Sequence, residues 1–152
     1  MEPNVSQPDI NCRLARVLAF AVTSSGKPRC EIAAAAGMHK DTLLRAIRGG
    51  RPITLEEAER ILIACDVPAH AAIVLGLTGY ERLADHWLRD DAGAFLEAFL
   101  AALPGALDRI LGQRVSDLRP RWASGTSQLV ARVLARHLTE FEERDLALIA
   151  GR

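Results

Sequence analysis

Cysteine and histidine are the residues most often found at metal centres and nucleophilic active sites, and their spacing here supports neither chemistry. Cys12, Cys30 and Cys65 form no CxxC pair, and the four histidines show no HxxxH or HExxH spacing. Three widely separated cysteines also suit no disulfide framework, so free thiols are the expected state. We therefore expect neither a metal ion nor another cofactor.

The remaining candidates for catalysis are equally weak. Residues 124–127 read Ser-Gly-Thr-Ser, which lacks the lysine and the spacing of a phosphate-binding loop. The adjacent acids Asp90 and Asp91 stand ahead of a predicted helix, where carboxylates commonly interact with the helix dipole. No Ser/His/Asp or Cys/His set stands out. These patterns predict that the protein is not an enzyme.

Positive charge is concentrated in one segment of a chain whose net charge is zero. Between residues 27 and 51, six basic residues stand against Glu31 and Asp41, a surplus of four positive charges. Such a segment can bind phosphates although the whole chain is neutral. Surface arginines of a small helical bundle commonly contact only water, so the charge is informative only together with a motif. The basic residues are Lys27, Arg29, Lys40, Arg45, Arg48 and Arg51.

Apolar residues recur every three or four positions almost throughout, which predicts an all-α fold. Gly37 is expected to end the second helix in the left-handed conformation, and Gly49 to end the third. Thr54 and Glu57 have the spacing of a capping box at the start of the fourth. The five predicted N-terminal helices span about 12–22, 28–36, 40–48, 55–65 and 69–75.

The second half predicts further helices without a motif. Pro104 and Gly105 are expected to separate two helices, residues 115–125 to form a loop, and the last helix to begin near Ser127, with a bend near Thr139. The predicted domains are a flexible N-terminus (1–11), a five-helix N-terminal domain (12–78) and a small helical C-terminal domain (79–152).

The most specific pattern runs from Ile32 to Gly49. Ala33 is small enough for a second helix to cross closely, Gly37 suits a tight turn, and Met38 and Leu43 supply apolar contacts just beyond it. A helix-turn-helix unit needs these residue types at this spacing, with polar side chains on the outer face of its second helix.

The segment resembles the helix-turn-helix domain of the phage-repressor/Cro (XRE) family over about 55 of the 152 residues. Ile32-Ala33, Ala36-Gly37-Met38, Thr42-Leu43, Arg45 and Gly49 match the family pattern, followed by Leu55 and Ile61. Two positions depart from it: Arg29 stands where the family often has glutamine, and Ile47 where it commonly has an acid.

The resemblance implies a sequence-specific DNA-binding transcriptional regulator with a recognition helix at about 39–48. The residues implied to read bases are His39, Lys40, Asp41, Leu44 and Arg45, with His39 also able to contact phosphate. The residues implied to contact phosphates are Lys27, Arg29, Arg48 and Arg51.

Such repressor domains usually bind double-stranded DNA as homodimers, so the C-terminal domain is expected to mediate dimerisation. The same aromatic residues could instead form the core of that domain. The candidate interface residues are Trp87, Phe95, Phe99, Trp122 and Phe141.

An alternative function from another class remains open: a protein-interaction module, antitoxin-like or binding RNA polymerase or a sigma factor, whose C-terminal half binds the partner. A small-molecule sensor between the C-terminal helices is a weaker third interpretation. The sequence has no signal peptide and no apolar run long enough to span a bilayer, which predicts a cytoplasmic, nucleoid-associated protein without membrane contact.

Overall fold

The computed structural model describes the backbone of residues 9–150 and the side chains of residues 9–144. All regular structure in this range is helical, which confirms the all-α prediction. The expected flexible segment 1–11 lies largely outside the described residues, and the first helix begins at Ile10. The α-helices are α1 (Ile10–Ser24), α2 (Arg29–Ala35), α3 (Lys40–Ile47), α4 (Leu55–Ala64), α5 (Ala69–Leu77), α6 (Glu81–Trp87), α7 (Asp91–Leu111) and α8 (Ala123–Ala150).

Helix α1 lies at the centre of the N-terminal core. Its apolar residues recur every three or four positions, so Leu14, Val17, Leu18 and Ala21 share one buried face. This helix contacts α3, α4, α5 and α6, while α2 packs on α3 and α4. The other large side chains at the centre of the core are Ile32, Leu43, Ile61 and Leu62.

The helix ends follow the predicted local chemistry. The Met38 N–H donates to the Ala33 carbonyl (2.9 Å) and the Gly37 N–H to the Ala34 carbonyl (3.1 Å), a Schellman motif that ends α2 with Gly37 at φ +68°. Gly49 ends α3 in the same conformation, at φ +71°. The predicted capping box is also present, because Thr54 and Glu57 exchange two hydrogen bonds of 3.1 Å at the start of α4.

The compact N-terminal unit extends beyond residue 78, where the sequence suggested a domain boundary, and ends at Pro104. Helix α6 packs on α1 and α5, and Ala84 and Leu88 are buried in the same core. Glu97 of α7 reaches the start of α5, where its carboxylate accepts the Ala71 N–H (2.7 Å) and lies 2.6 Å from His70 Nδ1. The unit extends this far because both α6 and α7 contact α5.

The second half contains fewer breaks than expected. Helix α7 continues through Pro104, which is exposed, so water can bond the carbonyl that the proline leaves without its helical donor. Helix α8 begins at Ala123 and does not end near Thr139, whose hydroxyl donates to the Ala135 carbonyl within the helix (3.1 Å). Two short 3₁₀ helices occupy the predicted loop, at Gly112–Asp117 and Pro120–Trp122.

The C-terminal unit begins at Gly105 and has no buried side chain among its described residues. Its long helix α8 packs against the 3₁₀ helix at Pro120–Trp122. No helix in the described part of the chain is both long enough and apolar enough to cross a lipid bilayer.

We expect Glu97→Ala to lower the free energy of unfolding of the N-terminal unit by about 1 to 2 kcal/mol, because it leaves the Ala71 N–H without its acceptor. Urea denaturation followed by circular dichroism measures the change. Replacing the exposed Asp85 by alanine is the control and should change stability by less than about 0.5 kcal/mol. Equal stabilities for the two variants would contradict the role of α7 in this unit.

Candidate nucleic-acid interface

Helices α2 and α3 form a close pair joined by the turn at residues 36–39. Ala33 of α2 and Ala46 of α3 are buried, and their small side chains allow the two helices to approach. Leu43 anchors α3 in the core with no exposed surface. This packing determines which side of α3 faces solvent.

The outer face of α3 carries the residues predicted to read bases. His39, Lys40, Asp41 and Arg45 are exposed, and Leu44 is half-buried. At about 100° per residue, residues 41, 44 and 45 lie on the side of the helix opposite the buried Leu43 and Ala46, and residue 40 lies at the edge of that side. The structure therefore brings these candidates to one surface, with His39 immediately before the first turn of α3.

Two of the predicted phosphate contacts, Arg29 and Arg48, lie on the same helix pair. Arg29 is the first residue of α2, and Arg48 directly follows the last residue of α3. Both side chains are exposed to solvent. Their charges can therefore interact with an anion without breaking a buried contact.

Lys27, the third predicted phosphate contact, interacts instead with the end of α4. Its Nζ lies 2.6 Å from Asp66 Oδ2 and donates to the Ala64 carbonyl at 2.9 Å. The hydrogen bond to Asp66 raises the pKa of Lys27. A cation at this position is favoured by the helix dipole, because the last carbonyls of a helix carry partial negative charge.

Arg51, the fourth, interacts with the capping box of α4. Its guanidinium donates to Glu57 Oε1 at 2.8 Å and to the Pro52 carbonyl at 3.1 Å, and only 23% of its side chain is exposed. The pKa of Glu57 is lowered most by the hydrogen bond from Arg51. The hydrogen bond from the Thr54 N–H is the next largest cause.

These two ion pairs reduce the charge that faces solvent. Four exposed cations remain between residues 27 and 51, against Glu31 and Asp41, so the surplus is two positive charges instead of four. The capping-box spacing indicated where Glu57 lies. No sequence signal indicated that Lys27 would meet Asp66, because the two residues are distant along the chain and meet only through packing.

The five aromatic residues predicted to form a dimer interface are divided between the two compact units. Phe95 and Phe99 of α7 stack with ring centroids 5.9 Å apart. Trp87 of α6 lines an open apolar groove of about 400 Å³ with Leu75, Leu83, Leu96 and other side chains of the N-terminal unit. Trp122 and Phe141 belong to the C-terminal unit and are 48% and 60% exposed.

The thiols and possible metal ligands are dispersed. Cys12 and Cys30 are exposed, while Cys65 is buried, and its burial raises the thiol pKa to about 11. A thiol with such a pKa is almost entirely protonated at neutral pH and is therefore a poor nucleophile. Among the described residues, no group of three or more histidine, cysteine, aspartate or glutamate side chains could hold a metal ion.

Comparison of the chain with protein-family models, with curated proteins and with solved structures gives no match in any of the three.

The Arg51–Glu57 ion pair predicts a pH-dependent contribution to stability. Because the folded state lowers the pKa of Glu57, its charge stabilises the fold above the ordinary glutamate pKa of 4.5, and this contribution is lost as the pH falls through the lowered value. Glu57→Gln keeps a residue able to complete the capping box but removes the charge. We expect the variant to be less stable than the wild type at pH 7.

Urea denaturation of both proteins between pH 7 and pH 2 measures this effect. The difference in their free energies of unfolding should disappear at the acidic end of the range, where Glu57 is protonated. A difference that is independent of pH would mean that the ion pair makes no contribution.

Proposed function

We propose that this protein is a sequence-specific, DNA-binding transcriptional regulator of the phage-repressor/Cro type, in which α2 and α3 act as the helix-turn-helix unit. The observation that carries the proposal is the composition of the outer face of α3. That face combines exposed cationic, acidic and histidine side chains on a helix whose other side is anchored by Leu43 and Ala46. An α-helix with such a face fits the major groove of B-DNA.

Each side chain on this face has a chemical role that follows from its donor and acceptor groups. Lys40 and Arg45 can donate to guanine O6 and N7, and Asp41 can accept from a cytosine amino group. Leu44 can contact a thymine methyl group, and His39 can contact either a base edge or a phosphate. Together they would read a short half-site.

We assign the phosphate contacts to Arg29 and Arg48. Lys27 and Arg51 would have to give up an ion pair with Asp66 or Glu57 before they could reach a phosphate. The chain has no net charge, so its affinity for non-specific DNA should be modest and specificity should depend on base contacts. A dimer would bind two half-sites about 10 bp apart, one helical turn of DNA.

Selection of bound sequences from random DNA duplexes tests this function. We expect the wild type to enrich a motif made of two related half-sites. Lys40→Ala combined with Arg45→Ala should abolish the sequence preference without loss of helicity by circular dichroism, because both residues are exposed and make no core contact. Arg82→Ala, which removes an exposed cation on α6, is the control and should enrich the same motif.

The salt dependence of binding separates base contacts from phosphate contacts. Arg29→Ala and Arg48→Ala should each reduce the slope of log affinity against log salt concentration by about one. Both variants should still enrich the motif of the wild type. If no sequence is enriched by the wild type at any salt concentration, the proposal is wrong.

A second candidate function is that of a protein-interaction module, antitoxin-like or binding RNA polymerase or a sigma factor. The apolar groove beside Trp87 favours it, because Tyr80 at its rim is 57% exposed and such surfaces often bind other proteins. Co-purification of one stoichiometric partner, with no salt-sensitive affinity for DNA, would favour this function over DNA binding.

A further inference from the structure

His70 lies between two carboxylates that come from different helices. It is the second residue of α5, and its side chain is 67% exposed. Its Nδ1 lies 2.6 Å from Glu97 Oε1 of α7, and its Nε2 lies 3.4 Å from Glu59 Oε1 of α4. Among the described residues, these are the charged groups that contact the ring, since Asp66 pairs with Lys27 instead. One imidazole therefore joins α5 to both α4 and α7.

Only the doubly protonated imidazole satisfies both contacts. A neutral imidazole has one N–H, and its other nitrogen is an acceptor. If Nδ1 carries the proton, the lone pair of Nε2 faces Glu59, which is also an acceptor. If Nε2 carries it, Nδ1 and the Glu97 carboxylate are two acceptors 2.6 Å apart. The imidazolium cation can donate to both carboxylates, and hydrogen bonds between charged groups are characteristically short.

The start of α5 opposes this positive charge in part. The first turn of a helix carries partial positive charge, which disfavours a cation there. The two carboxylates offset this effect. Glu97 Oε2 also accepts the Ala71 N–H at 2.7 Å, a bond that does not depend on the protonation of His70. Loss of the proton from His70 therefore weakens the attachment of Glu97 to α5 without abolishing it.

The same turn of α7 forms one wall of the apolar groove. Leu96, which precedes Glu97, lines the groove together with Leu75 of α5 and Trp87 of α6. The start of α7 lies close to the end of α6, since a Cβ at Gly93 would be only 2.6 Å from the Trp87 carbonyl oxygen. The hydrogen bonds that hold α7 against α5 thus lie directly beside the groove.

We propose that His70, Glu59 and Glu97 form a pH-sensitive clamp. The doubly protonated ring holds α4 and α7 on α5, and loss of a proton at higher pH loosens α7 and widens the groove. The charge of histidine ordinarily changes between pH 5 and 8, so the clamp responds in the physiological range. A histidine that gains anionic partners on folding contributes stability at acidic pH, and the contribution is lost as the pH rises. The clamp does not depend on the proposed DNA contact.

Fluorescence quenching of Trp87 tests the opening of the groove. The chain has two tryptophans, so Trp122→Phe leaves Trp87 as the single reporter. We expect acrylamide to quench Trp87 more strongly at pH 8.5 than at pH 5.5, because a looser α7 exposes the indole ring. The lower value lies above the range in which glutamate ordinarily takes up a proton. Adding His70→Gln, which carries no charge at either pH, should make the quenching equal at both.

His86→Gln is the matched control for this measurement. His86 precedes Trp87 on α6, is exposed, and has no carboxylate partner among the described residues. Its replacement removes an imidazole beside the reporter but leaves the clamp intact, so the pH dependence of quenching should persist. Equal quenching at both pH values with His70 present would overturn the proposal, as would a pH dependence that His86→Gln removes and His70→Gln keeps.

Urea denaturation tests the energetic coupling of the three residues. We expect His70→Gln to lower the folding equilibrium constant about threefold at pH 5.5, as for a largely exposed ion pair, and to leave it unchanged at pH 8.5. Glu59→Gln should also destabilise the wild type at pH 5.5 but have little effect once His70 is glutamine, because the contact is already lost. His86→Gln is again the control and should show no such pH dependence.

A contribution from packing alone gives a different result. In that case His70→Gln would change the folding equilibrium constant equally at both pH values, and the effect of Glu59→Gln would not depend on residue 70. Either result would contradict the clamp. None of these measurements involves DNA, so failure to enrich a DNA motif would leave them unchanged.

Discussion

The close approach of several helices to α1 is the constraint on which the N-terminal unit depends. Leu18 has no exposed surface, and the alanines around it are small enough for the neighbouring helices to come near. Gly76 shows how little space is left, because a Cβ at this position of α5 would lie 3.2 Å from a methyl carbon of Leu14 on α1. Interiors packed this closely fix the directions of their helices, so the outer face of α3 is fixed by contacts on its inner face.

Local hydrogen bonding then fixes where the helices end. Four consecutive helices, α2 to α5, end at a residue with positive φ: Gly37, Gly49, Asp66 and Gly79. Asp66 is the exception in residue type, and its carboxylate pairs with Lys27, so the same turn that ends α4 also brings a cation to its last carbonyls. The charges of the basic segment are thus divided between stabilising α4 and facing solvent.

The C-terminal unit is governed by a different constraint. It has no buried side chain among its described residues, and four large apolar side chains of α8 are 50% to 63% exposed: Leu129, Val133, Leu138 and Phe141. Exposed apolar side chains of this size are unfavourable in water. In the proposed function, the N-terminal unit would contact DNA, and the C-terminal unit would mediate association.

Features that depend on a few neighbouring residues could be predicted from the sequence alone. The helical periodicity, the turn at Gly37, the end of α3 at Gly49 and the Thr54–Glu57 capping box are of this kind, and the structure confirms them. The sequence also placed Asp41, Leu44 and Arg45 on one helix face, since that follows from 3.6 residues per turn. The break expected at Pro104 is absent: the helix continues through this exposed proline, although the residue removes one hydrogen bond and its ring crowds the carbonyl four residues earlier.

What only the tertiary structure decided are the contacts between residues distant in the chain. The salt bridge of Lys27 with Asp66, the reach of Glu97 to the start of α5, and the extension of the N-terminal unit to Pro104 have no local pattern, because packing alone brings these residues together. Charge counted along the sequence therefore overestimated the charge that faces solvent. Periodicity determines which side chains share a face, whereas only the folded core determines which charges already have a partner.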